Sequence, residues 1–201
     1  MCKEIIERLF NKTKTQAIEE IIAANSTNMG DTEKAQYWYE ITQTAFKLLG
    51  KVDDVKMYGI STQSWIDVAQ KQYPTLTNIK IADASFRITT LECLQKILFR
   101  DWTNLVPYVI HVYDCDKYAS ELYNHLCLYY GINSVVPVWG YTDSGYHGFN
   151  LAVLIDDESG NMIARLVEPQ RDQVFTFTGP LGKYAPDKTA EELGVFKIKE
   201  G

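Results

Sequence analysis

From Cys115 to Gly131, apolar and small residues recur at helical spacing, and an apolar, β-branched pattern takes over directly afterwards. Cys115, Tyr118, Ala119, Leu122, Leu126 and Tyr129 mark one face of the helix. Asp114 stands where an N-cap belongs, and Gly131 stands where a helix ends in the left-handed conformation. The segments 135–141, 149–155, 162–167 and 174–178 then read as strands, with Asp157-Glu158-Ser159-Gly160 as a hairpin turn. In 149–155 both side-chain parities are mainly apolar, so that strand is expected to be central and covered on both faces.

Ahead of this, the chain reads as helices. Residues 3–24 and 31–49 carry apolar residues at helical period, and Gly50 ends the second run. Ser61 to Ser64 opens a shorter helix that runs towards Pro74, and Thr89 or Thr90 caps another with Leu91, Leu94, Ile97 and Leu98. The tail from Leu181 mixes glycine, proline and charge, and no strand is read there. The expected class is α+β, with N-terminal helices followed by a twisted antiparallel sheet. Residues 1–88 form a helical region for packing, docking or dimerisation, and 89–201 a catalytic domain.

Composition narrows the function. With 201 residues, 46% hydrophobic and 23% charged, the chain supports a full core rather than global disorder. A net charge of −6 and the lack of a basic run argue against nucleic acid. No apolar run reaches membrane-spanning length, and the N-terminus has no signal-peptide core, so the expectation is a cytoplasmic protein with no membrane partner. Cys2, Cys93, Cys115 and Cys127 contain no CxxC pair and no disulfide framework. A reducing setting would keep Cys115 a free thiol.

A cysteine in the first turn of a helix feels the positive end of the dipole, which favours thiolate. Cys127, mid-way along the same helix, is read as structural, as are Cys93 and Cys2. His147, between Gly145 and Gly148 at a strand start, is the expected base. His111 would lie roughly 13 Å from Cys115 in an extended segment, too far for direct proton transfer. His125 is expected to face solvent. Glu168, Gln170 and Asn150 are the alternatives for a group orienting His147. A four-residue hairpin loop sets His147 opposite Gln170 and diagonal to Glu168, whereas a one-residue slip pairs Asn150 with Glu168. Helix-start cysteine, strand histidine, then acid or amide is the order of a thiol hydrolase site. No zinc spacing or EF-hand loop occurs, so no cofactor is required.

Three runs carry a family resemblance: Tyr-Asp-Cys-Asp-Lys-Tyr-Ala at 113–119, Gly-Tyr-His-Gly-Phe-Asn at 145–150 and Glu-Pro-Gln at 168–170. Together they resemble the C-terminal domain of the Marasmius oreades agglutinin and its bacterial and phage relatives. The resemblance covers roughly residues 91–177. It implies a papain-like fold and a calcium-responsive cysteine peptidase acting on a peptide or protein substrate, with Cys115 as nucleophile, His147 as general base and Glu168 as orienting acid. Calcium is implied by the resemblance alone. The agglutinin's sugar-binding repeats have no counterpart before residue 90, so its lectin activity is not expected here. The rival expectation is a non-enzymatic, phage-associated or structural domain that keeps the fold with its site unused.

Overall fold

The computed structural model describes residues 52–101, 103–106 and 108–189. The two long N-terminal helices expected over 3–24 and 31–49 lie outside these residues. In chain order the elements are β1 (Met57–Ser61), α1 (Thr62–Gln72), β2 (Ser85–Thr89), α2 (Leu91–Arg100) and a 3-10 turn (Thr103–Leu105). Then follow α3 (Cys115–His125), a π-helical turn (Leu126–Tyr130), β3 (Val135–Thr142), β4 (Gly145–Ile155) and β5 (Met162–Glu168). The chain continues through β6 (Gln173–Phe175), β7 (Thr178–Gly179) and β8 (Gly182–Thr189).

Local chemistry explains the helix starts. Ser61 Oγ accepts the Ser64 N–H at 3.1 Å at the head of α1, and Thr90 Oγ1 accepts the Cys93 N–H at 3.2 Å at the head of α2. Gly131 closes the π-helical turn at φ 68°, a conformation glycine adopts without a Cβ penalty.

Six strands form one antiparallel sheet in the order β6-β5-β4-β3-β8-β7, and β1 pairs with β2 in a separate ribbon. The sheet curls until its two ends meet. A Cβ added to Gly179 on β7 would lie 2.5 Å from the Phe175 ring on β6, so only glycine lets the edges approach this closely. Closure of this kind leaves little open edge for unwanted pairing.

β4 runs through the middle, with a core on each side. Phe149, Leu151 and Val153 point to one face and pack with Trp65, Phe86 and Tyr184. Ala152 and Leu154 point to the other and pack with Leu94, Leu98 and Leu122 of α2 and α3. Two-sided burial follows directly from the unbroken apolar run in β4.

The expected α+β, papain-like class is corrected by this architecture: the described residues are mostly β, with a nearly closed sheet and three short α-helices. β1 and β2 occupy a stretch in which no strand was expected, because each is only five residues long. β8 lies in the tail, where Pro186 and three charged residues hide the pattern. Pro186 is tolerated because it sits opposite Gly140 at the register shift between Trp139 and Gly140.

Candidate functional site

Cys115 is the first residue of α3, and its neighbour Asp114 has the extended backbone of an N-cap. The Asp114 carboxylate does not cap the helix as the sequence suggested. It instead accepts the His111 N–H at 3.0 Å. A hydrogen bond shared with Asp116 raises the Asp114 pKa above the usual carboxylate range. Burial works against ionisation of Asp116, but hydrogen bonds from Asp114 and Lys117 outweigh it and lower that pKa. The two acids thus influence each other's ionisation beside the thiol.

Gly148 seats the head of α3 on the sheet. A Cβ there would stand 3.3 Å from the backbone of Asp116 and 3.4 Å from that of Cys115. This close approach brings the thiol to the neighbouring residue of β4, His147, with which Cys115 shares a hydrogen bond.

The other partner of His147 is Glu168. His147 Nε2 donates to Glu168 Oε2 at 2.8 Å, and both side chains are buried. The strand register is the one set by the four-residue hairpin loop, since Asn150 pairs with Val167 and Ile155 with Met162. Pairing to β4 ends at Val167, and Glu168 pairs onward with Gln173 of β6. Glu168 therefore lies on the face of Phe149 and reaches diagonally to the imidazole. Gln170 contributes only a backbone N–H, 3.4 Å from Glu168 Oε1. Asn150 turns away and donates to the carbonyls of Ala119 and Val135, pinning α3 to the sheet.

Electrostatics favour a charged ring. Burial lowers the His147 pKa, but hydrogen bonds to Cys115 and Glu168 outweigh it and raise the value to about 9. The imidazolium is thus the form present at neutral pH, held between a thiol and a carboxylate. Chemically, such a ring can donate from both nitrogens and stabilise an anion at sulfur.

One residue of this centre was not anticipated. Tyr184 of β8 is buried, and its hydroxyl donates to Glu168 Oε2 at 2.9 Å. Its position within the glycine-, proline- and charge-rich tail gave no signal.

The other described histidines and cysteines fall elsewhere, and Cys2 lies outside the described residues. His111 sits in a turn at φ 63°, exposed. His125 corrects the expectation of a solvent-facing ring: it is buried, 3.2 Å from Asp101 Oδ1 and 2.9 Å from Glu121 Oε1. Burial opposes its charge, yet the two carboxylates raise its pKa to about 9. Cys93 is buried, and Cys127 lies in the π-helical turn, where burial pushes its thiol up. Among the described residues no group of three or more His, Cys, Asp or Glu side chains is arranged to hold a metal ion. No described helix is long and apolar enough to cross a membrane.

No family model matches the sequence, and neither does any curated protein sequence. Solved structures do share the fold. One is described as the PSL1a–E64 complex, with a TM-score of 0.53 and 16% identity, covering 65% of this chain and 50% of that one. Another is Polyporus squamosus lectin bound to the human-type influenza-binding epitope Neu5Aca2-6Galb1-4GlcNAc, with a TM-score of 0.49 and 15% identity, covering 65% and 48%. Over the matched part, the fold is that of the PSL1a–E64 structure. The chain spans about half the length of these structures. The expectation of a papain-like cysteine hydrolase is corrected by the comparisons, whose named structures include a lectin. The expected peptide substrate loses its support with it. The agglutinin resemblance is supported only at the coarser level of a fold shared with the first of these structures, not for the domain named.

Proposed function

We propose that this protein is a carbohydrate-binding protein whose functional centre is formed by Cys115, His147 and Glu168. The observation that carries the reading is the charged ring of His147, fixed between the Glu168 carboxylate and the Cys115 thiol at the head of α3. A sugar is recognised through hydroxyl groups, and charge-assisted hydrogen bonds from a preorganised ion pair are the strong ones. Burial of Glu168 and its hydrogen bond from Tyr184 hold that geometry before any ligand arrives. The lectin-like fold supports this ligand class. The three-motif resemblance to the agglutinin domain supports treating the three side chains as one unit.

Within that unit, His147 is the charged donor to the ligand, Glu168 the carboxylate orienting its ring and Cys115 the reactive thiol beside it. A reducing, intracellular setting fits this assignment, since it keeps the thiol free.

The test is a glycan panel presented to the wild-type protein and to His147→Ala. Saturable binding of at least one glycan, weakened tenfold or more in His147→Ala, is the expected result. If no glycan binds the wild-type protein, the reading fails.

A further inference from the structure

We infer that the ledge formed by exposed Tyr141 and Tyr146 and half-buried Trp139, completed by Asp187, is the seat of a neutral pyranose ring. This deepens the carbohydrate reading and rests on it.

The ledge is the part of one sheet face that α3 leaves uncovered. Along β4, Asn150 is tied to α3 through the Ala119 carbonyl, and Gly148 carries the backbone of Cys115 and Asp116. The next residue on that face is Tyr146, which has a relative exposure of 44%. Across the ladder, Trp139 pairs with Gly148 and Tyr141 with Tyr146, so the three rings share this face. The uncovered surface therefore begins one strand step from the thiol.

Its chemistry suits a sugar. Trp139 and Tyr146 stack in parallel, with centroids 5.4 Å apart and planes inclined by 2°. Tyr141 meets Tyr146 edge-on at 4.9 Å and is 62% exposed. Flat aromatic surface matches the C–H face of a pyranose. Around the rim, the Tyr146 hydroxyl lies 3.3 Å from Asp187 Oδ2, so a phenol and a carboxylate stand together where sugar hydroxyls would fall. A few placed polar groups on an aromatic surface are the usual composition of a ligand site. At the ledge itself Asp187 is offset by Lys188, cross-strand from Trp139 and close enough to act on Tyr146, and this balance suits a neutral sugar.

The experiment is an NMR titration of the protein, 15N-labelled at its tryptophans, with methyl glucoside, methyl galactoside, methyl mannoside, lactose and cellobiose, alongside Trp139→Phe, Trp139→Ala and Tyr141→Ala. Trp139→Phe assigns the indole signal and keeps an aromatic ring. Tyr141 is exposed, so its truncation leaves the fold intact. Expected are a saturable shift of the Trp139 indole N–H and a tenfold or greater weakening in Trp139→Ala and Tyr141→Ala. A sugar that moves His147 but binds the ledge variants as tightly as wild type overturns the ledge and leaves the carbohydrate reading standing. If no sugar or glycan binds at all, both fall. A peptide that shifts Trp139 where no sugar does also overturns the inference.

Discussion

His147 and Glu168 meet at 2.8 Å although they are not paired across the β4–β5 ladder. The diagonal contact follows from the register, which extends to set Glu168 opposite Phe149, two residues along the same face from His147. The raised pKa of His147 rests on Cys115 and on this contact, and so the ring's charge is open to a direct measurement. Replacing Glu168 by Gln removes the charge and should bring the His147 pKa down from about 9 towards the ordinary 6.5. Titration of the ring by NMR reads this, and an unchanged pKa in Glu168→Gln would assign the shift to Cys115 alone.

Stability should follow the same ring. Its folded pKa lies above the unfolded value, so the pair's contribution is fully present below about 6.5 and fades as pH rises through about 9. Thermal melts should therefore show stability lost between those two values, and Glu168→Gln should flatten that part of the profile.

His125 gives a second and independent test. It is buried against Asp101 and Glu121, so His125→Ala removes the ring that bridges the two carboxylates. Breaking a buried pair in this way costs about 3–5 kcal/mol. Denaturant unfolding should show that loss, and a loss below about 1 kcal/mol would mean that the carboxylates find solvent.

Cys115 should be the most readily alkylated of the described thiols. Cys93 is buried and Cys127 is pushed up by burial, whereas Cys115 is half-exposed and bonded to an imidazolium. Mass-spectrometric mapping after brief iodoacetamide treatment should find label on Cys115 first, with slower labelling in His147→Ala. Equal labelling of Cys93, Cys115 and Cys127 would remove the assignment of Cys115 as the reactive thiol.

Gly148→Ala tests how the site is assembled. The added methyl meets backbone rather than a movable side chain, so α3 must shift or strain must be absorbed, at a cost of roughly 1–3 kcal/mol. The expected signature is a destabilised protein in which His147 also loses part of its raised pKa, because Cys115 has been displaced. A stability drop with the His147 pKa unchanged would separate packing from site geometry.

The parts of this structure legible in the sequence are those where pattern and burial coincide. α3, its glycine stop, the long central β4 and the β4–β5 hairpin could be read because each is long and strongly periodic. β1, β2 and β8 could not, since short strands and a proline-bearing strand carry too little alternation. With β8 unread, the closing sheet and Tyr184 were out of reach as well. Of the candidate centre, the sequence supplied Cys115, His147 and Glu168 but left the orienting group open, because chain pairing alone cannot say where a ladder ends. His125 was misjudged for a related reason: its partners Asp101 and Glu121 come from different elements, and helical phase reports only one of them.

The carbohydrate reading is tested most directly by following the His147 imidazole signals while glycans are added to the wild-type protein. A saturable shift of those signals, absent in Cys115→Ala bearing a disturbed centre or reduced at least tenfold in apparent affinity, is the result expected. Glycans that leave His147 unmoved, or a peptide that is turned over by the wild-type protein and not by Cys115→Ala, would contradict it.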